Sequence, residues 1–243
     1  MAEMHSAGRV ALITGANKGI GFETARQLGK LGITVLVGCR NKQRGEKATE
    51  ILQGERINAR AIVLDVTNQS TIDAAVTEVE RDFGKLDILV NNAGIIVERT
   101  TPSECQTENL RKTFETNVFG LFAVTKAFLP LIRKSEAGRI VNVSSGLGSL
   151  KNMTDPQLME NKFLAYSASK AAVNMLTVAF GRELRDTAIK INSAAPGYTA
   201  TEMNNYSGHQ TVEQGALTSV RLATLSADRP TGSFLDVNGI VPW

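Results

Sequence analysis

Seven short apolar runs, the first six each followed by a stretch of helical character, constrain this chain more than any other feature of its sequence. Val10–Thr14 is the first, and it ends in a glycine, as suits a strand buried on both faces. Helix-forming stretches follow over 19–31, 43–53, 70–83, 107–134 and 166–186, with a last helix opened by Thr211-Val212-Glu213-Gln214. Between them lie strands over 33–37, 61–64, 86–90, 139–143 and 189–194, and a final strand spans 233–237. Ser70-Thr71-Ile72-Asp73 reads as a capping box for the third helix, and Gly120 and Pro130 are the weak points of the long helical stretch. Repeated strand-helix units of this kind give an α/β fold, a doubly wound parallel sheet of about seven strands with helices on both faces.

A length of 243 residues suits one domain spanning 1–243, and 42% hydrophobic against 21% charged residues is the composition of a chain that buries a core. The 27 basic and 24 acidic residues, net +3, are spread without long runs, so nucleic acid and membrane surfaces are not expected partners. Cys39 and Cys105 stand far apart and outside metal-ligand spacing, which reads as two reduced thiols in a cytoplasmic protein with no metal site. The first ten residues, with Glu3 and His5, lack the apolar core of a signal peptide, and no apolar run reaches the length of a bilayer.

Tyr166 and Lys170 are four residues apart near the start of a helix and therefore share a face. A phenol titrates near ~10, and a neighbouring ammonium favours its ionised form; bringing it to neutrality takes about 4 kcal/mol. The pair can then exchange a proton with substrate. Thr14-Gly15-Ala16-Asn17-Lys18-Gly19-Ile20-Gly21 joins the first strand to the first helix, with glycines where a pyrophosphate approaches the backbone and free amides at the helix start. Nothing marks Ser145 as a nucleophile, because His5 and His209 lie outside any triad-like pattern.

The Thr-Gly-x-x-x-Gly-x-Gly turn with Tyr-x-x-x-Lys downstream resembles the short-chain dehydrogenases/reductases, a family of single-domain Rossmann fold, and the likeness runs from about Val10 to Val237. Asn91-Asn92-Ala93-Gly94 matches a family signature after the fourth strand. The resemblance implies a catalytic set of Asn117, Ser145, Tyr166 and Lys170, with Tyr166 as proton donor, Ser145 as second donor to the carbonyl oxygen, Lys170 on the nicotinamide ribose and lowering the phenol's pKa, and Asn117 bending the long helix and holding a relay water. It also implies cofactor contacts at Gly15, Asn17, Lys18, Gly19, Ile20, Gly21, Arg40, Asp65, Val66, Asn92, Gly94, Pro196, Thr199 and Thr201, besides Tyr166 and Lys170. In the family the chain resembles, Asp65 would hydrogen-bond the adenine.

The second strand ends in Val37-Gly38-Cys39-Arg40 without a carboxylate, and Lys18 adds a cation on the same side, with Arg44 able to assist. That charge suits the 2′-phosphate of NADP(H) rather than a bare ribose. An insertion over 145–165, together with the glycine turn as written and the terminal tryptophan, is similar to the NADPH carbonyl reductase branch, whose members are monomers; a monomer or weak homodimer is expected. The loop over 197–210, with Met203 and Tyr206, covers the substrate pocket. The reading that results is NADPH-dependent reduction of a small-molecule aldehyde or ketone. The alternatives are a 3-oxoacyl thioester reductase and a non-catalytic NADP(H)-binding redox sensor.

Overall fold

The computed structural model describes residues 8–155 and 162–243. Glu3 and His5, with the reading made from the first ten residues up to Ala7, lie outside them, as does Pro156 and the rest of the insertion up to residue 161. Seven parallel strands form one sheet: β1 (Val10–Thr14), β2 (Thr34–Cys39), β3 (Ala59–Val63), β4 (Ile88–Asn91), β5 (Arg139–Val143), β6 (Lys190–Ala194) and β7 (Ser233–Leu235). Their spatial order is β3-β2-β1-β4-β5-β6-β7, with β1 in register against Thr34–Gly38 on one side and Ile88–Val90 on the other. The order reverses direction between β1 and β4, and in such sheets the crevice for a ligand opens at the carboxyl ends of those two strands.

Alternation along the strands sorts the core into two layers. Val10 and Leu12 pack with Ile72 and Val79 of α3 (Gln69–Phe83), Val124 and Phe128 of α5 (Leu121–Ile132) and Phe180 of α7 (Leu164–Glu183). Ala11 and Ile13 point the other way, onto Ala25 and Leu28 of α1 (Gly19–Lys30), Leu52 of α2 (Lys42–Gly54) and Leu222 of α8 (Val212–Ala223). Fully burying an aliphatic side chain of this size stabilises the fold by about 1.5–3 kcal/mol, so the sheet interior carries most of the driving force.

Three elements differ from the sequence reading. The third helix is capped by Asn68, whose side chain accepts from the Ser70 amide at 3.0 Å; the Thr71 hydroxyl is used instead to tie the Asp65 main chain, so no capping box starts at Ser70. The long helical stretch is α4 (Thr107–Phe114), a π-helical segment Glu115–Gly120, and α5. Gly120 ends the π segment against Val66, where a Cβ would stand 2.8 Å from Val66 Cγ2, while Pro130 is carried within α5 two residues before its end. This stretch also corrects the expectation about bilayer length. Thr107–Ile132 is 26 residues of helix, long and apolar enough to cross a membrane by length and composition, yet half of its apolar window is buried inside the fold. Within the insertion, a short helix α6 (Leu150–Met153) is capped by Ser149, and its Lys151 amide donates to the Trp243 carbonyl at 3.0 Å.

Candidate active site

The carboxyl ends of β1, β4 and β5 bring the glycine turn, Asn92-Ala93-Gly94 and Ser145 to one edge of the sheet. The Thr14 hydroxyl stitches the first two together, accepting from the amides of Asn92 and Ala93 at 2.9 and 3.0 Å. The Asn92 side-chain amide donates to the carbonyls of Thr14 and Gly15 at 2.9 and 3.3 Å, so this residue braces the turn from behind. A Cβ on Gly21 would lie 2.3 Å from the Asn92 amide nitrogen, which makes glycine necessary there.

The turn itself fits a pyrophosphate. Gly15 and Gly19 adopt left-handed φ of +63° and +59°, and a Cβ on Gly19 would meet only Thr201 Cγ2, at 3.8 Å. The N-terminus of α1 carries no side-chain cap and no acidic residue in its first turn, so its amides are available to an anion. Asn17 lines a hollow of about 260 Å³ with Phe22, Arg44, Lys47, Ala48 and Ile51 beside this turn. Ile20 stands in the first turn of α1, where its carbonyl accepts the Thr24 hydroxyl. Arg40 follows β2 directly, is exposed, and makes no ion pair among the described residues. Lys18 is paired with Glu202 at 2.5 Å.

Further round the edge, Asp65 Oδ1 accepts from the amide and hydroxyl of Thr67 at 3.0 and 2.8 Å, and Val66 is buried beside Gly120. Gly94 faces Asn117 and Lys170, since a Cβ there would come within 3.4 Å of Asn117 Oδ1 and 3.6 Å of Lys170 Nζ. In the loop after β6, the Thr199 hydroxyl turns inward to the Pro196 carbonyl at 3.1 Å, and the Thr201 amide donates to Asn204 Oδ1 at 3.0 Å.

Ser145, Tyr166 and Lys170 come together across β5 and the first turns of α7. The Ser145 hydroxyl is near enough to the Tyr166 phenol to favour its ionised form. Lys170, 4% exposed, donates from Nζ to the Val143 carbonyl at 2.7 Å and sits 5.5 Å from the centre of the Tyr166 ring. The turn that carries Ser145 is seated on α7: a Cβ on Gly148 would be 2.7 Å from Lys170 Cβ, and Asn174 donates to the Gly148 carbonyl at 3.2 Å.

The electrostatics run opposite to the sequence expectation. Loss of water pushes the Tyr166 phenol up to about 12, against the opposing effect of the Ser145 hydroxyl, although part of the side chain remains accessible. Burial likewise pushes the Lys170 ammonium down to about 8. Both groups sit where charge is poorly hydrated, and the ammonium is tied to a carbonyl and lies over the Tyr166 ring.

Asn117, 1% exposed, is the centre of the π segment. Its two amide hydrogens go to the Ile95 carbonyl and the Ser169 hydroxyl, each at 3.0 Å, and its Oδ1 accepts the Ile95 amide at 2.8 Å. The side chain thus clamps the loop after β4 onto α7, with Ser169 passing the contact to the Tyr166 carbonyl at 2.7 Å. Sequence reasoning missed Ser169. The signal was present, because Ser169, Val173 and Thr177 recur at helical spacing along the buried face of α7. It also missed Glu98, a buried carboxylate that accepts the Ala165 amide in the first turn of α7 at 3.3 Å and the Asn109 amide of α4 at 3.2 Å.

Residues 9–211 match the family model for short chain dehydrogenases. NADPH carbonyl reductase 1 of Mus musculus is 36% identical over 282 residues, an alignment that spans 99% of this chain and 100% of that one. Short-chain dehydrogenase/reductase 1 of Saponaria officinalis is 35% identical over 292 residues, spanning 97% and 96%. The crystal structure of NADPH-bound carbonyl reductase from chicken fatty liver superposes with a TM-score of 0.86 at 28% identity, covering 97% of this chain and 99% of that one. The family model spans most of the chain and the relatives match along nearly its whole length, and so the chain belongs to the short-chain dehydrogenase/reductase family of oxidoreductases.

Proposed function

We propose that the chain reduces aldehyde or ketone carbonyls of small molecules to alcohols with NADPH. The observation that carries this reading is the grouping of Ser145, Tyr166 and Lys170 at the carboxyl end of β5, next to the crevice between β1 and β4. Relatives named as NADPH carbonyl reductases support it. NADPH, when bound, would supply the hydride.

The residues of the glycine turn and the uncapped start of α1 would hold the pyrophosphate, and Lys18, Arg40 and Arg44 the 2′-phosphate. Asp65, whose Oδ1 serves Thr67, would take the adenine with Oδ2, and Val66 would pack there. Pro196, Thr199 and Thr201 would shape the loop beneath the nicotinamide, and Lys170 would hold its ribose.

Reduction places negative charge on the carbonyl oxygen, so the protein must deliver a proton there. A phenol held at about 12 stays protonated at neutral pH and is ready to donate. It remains a stronger acid than water, whose pKa is about 15.7, so transfer to an alkoxide of comparable basicity runs downhill. Ser145 supplies the second hydrogen bond to the carbonyl oxygen. Asn117 acts through Ser169 and Ile95, holding α7 and the loop after β4 together so that Gly94 lies beside Lys170. A cytoplasmic setting, with Cys39 and Cys105 as free thiols, belongs to this reading, as does weak pairing through the exposed Phe119, Phe122 and Met175.

The test is loss of reduced-nicotinamide absorbance with NADPH and, separately, NADH across aldehydes, ketones, diketones and a 3-oxoacyl thioester, using wild type and Tyr166→Phe. NADPH-dependent turnover of simple carbonyls, lowered roughly 10²–10⁴-fold by the substitution, is expected. Turnover confined to the thioester, or undiminished in Tyr166→Phe, overturns the reading.

A further inference from the structure

The loop after β6 does not hang free over the cleft. Its stretch Thr201–Asn204 is held at both rims, on one side by Glu202 against Lys18 of the glycine turn and on the other by the Met203 carbonyl, which accepts from Arg99 at 3.1 Å. Thr201 faces Gly19, where a Cβ would lie 3.8 Å from Thr201 Cγ2, and the Tyr206 amide returns to the Thr201 carbonyl at 2.8 Å to close the strap. The strap ends in two consecutive non-glycine residues with left-handed backbone, Asn205 at φ +52° and Tyr206 at φ +59°, a conformation that surrounding contacts must maintain.

Glu202 is the informative residue. Its carboxyl is held below the usual range first by the hydrogen bond from Lys18, then by the charge of Lys18, with a further contribution from the charge of Arg44. A carboxylate on the strap therefore sits within the field of two of the three cations that the NADPH reading gives to the 2′-phosphate. Lys18 and Glu202 are 56% and 65% exposed, so their pair is weak and open to exchange. A phosphate monoester carries more charge, about −1.5 to −2 near neutrality, and offers three acceptor oxygens.

Resting on the NADPH reading, we propose that Glu202 is a resident competitor for Lys18, which a 2′-phosphate displaces, so that arrival of a 2′-phosphorylated nucleotide releases the strap Thr201–Asn204 from the phosphate rim. A nucleotide without the 2′-phosphate leaves the Lys18–Glu202 latch closed. Glu202 thereby links the choice of cofactor to opening of the substrate loop.

The experiment uses two half-cofactors that lack the nicotinamide end, 2′,5′-ADP and 5′-AMP, titrated calorimetrically into wild type, Glu202→Gln, Lys18→Met and the double variant. Amide hydrogen exchange is followed over residues 200–207. Glu202→Gln should tighten 2′,5′-ADP about two- to fivefold, the range set by an exposed ion pair, and leave 5′-AMP unchanged. The gain should vanish in the Lys18→Met background, because no latch is left to compete. Exchange over the strap should quicken with 2′,5′-ADP but not with 5′-AMP, and should already be fast in Glu202→Gln. If wild type holds 5′-AMP as tightly as 2′,5′-ADP, the NADPH reading fails and the proposal with it. If the preference for 2′,5′-ADP stands but Glu202→Gln leaves it unaltered, or tightens it equally without Lys18, the latch alone is overturned.

Discussion

Replacing Lys170 by methionine isolates the cost of burying its ammonium. The folded chain holds this lysine at about 8 instead of the ordinary 10.5, because it is 4% exposed with one carbonyl partner. Below about pH 8 both the folded and the unfolded chain keep the proton, and the folded state bears the full cost of a buried charge. Between about 8 and 10.5 the unfolded chain binds more protons, so stability rises with pH through that window and levels off above it. The full span corresponds to about 3.4 kcal/mol, of which about 2 kcal/mol is recovered by pH ~9.5. Tyr166 acts with the opposite sign, since a phenol raised to about 12 loses stability above pH ~10, and it contributes little at pH ~9.5. Urea denaturation of wild type and Lys170→Met, at pH ~7 and ~9.5, reads the difference directly because every other lysine is common to both chains. The stability of wild type relative to Lys170→Met should rise by about 2 kcal/mol between the two conditions. A relative stability that does not change with pH would refute the desolvation of Lys170 and, with it, the electrostatics of the Tyr166–Lys170 pair.

The same two directions set the pH dependence of catalysis. Carbonyl reduction should be flat near neutrality and decline above about pH 8 as Lys170 loses its charge, while alcohol oxidation, which needs the Tyr166 phenolate, should climb towards alkaline pH; parallel profiles for the two directions would contradict the assignment. Gly21→Ala drives a methyl against the Asn92 amide and should cost about 1–3 kcal/mol of stability and at least tenfold in dinucleotide affinity, whereas an unaffected affinity by fluorescence titration would mean that Asn92 does not brace the turn. Arg40→Asp should move the ratio of NADPH to NADH catalytic efficiency towards NADH, and an unchanged ratio would remove Arg40 from the phosphate site.

What could be read along the chain and what could not differ by a physical criterion. Strands β1 and β5 were legible to the residue, and the Thr211–Gln214 capping box opens α8 as expected, because each depends on groups a few positions apart. Tyr166 and Lys170 were legible as neighbours for the same reason, and so was the glycine turn between β1 and α1. The pH at which they titrate was not, since spacing reports proximity but not the loss of water that here outweighs it. The expected role of Asn117 shows the same boundary. A polar residue in a long helix suggested a bend, and the π segment is there, but the partners that consume its amide hydrogens come from positions 95 and 169. Glu98 and Ala165 are separated by 67 residues and Lys18 and Glu202 by 184, so neither pair leaves any periodic trace. These four residues tie the β4 loop to the tyrosine helix and the glycine turn to the loop after β6. The folded sheet juxtaposes segments that the order of the chain keeps apart, and the contacts that position Tyr166 are made across those junctions.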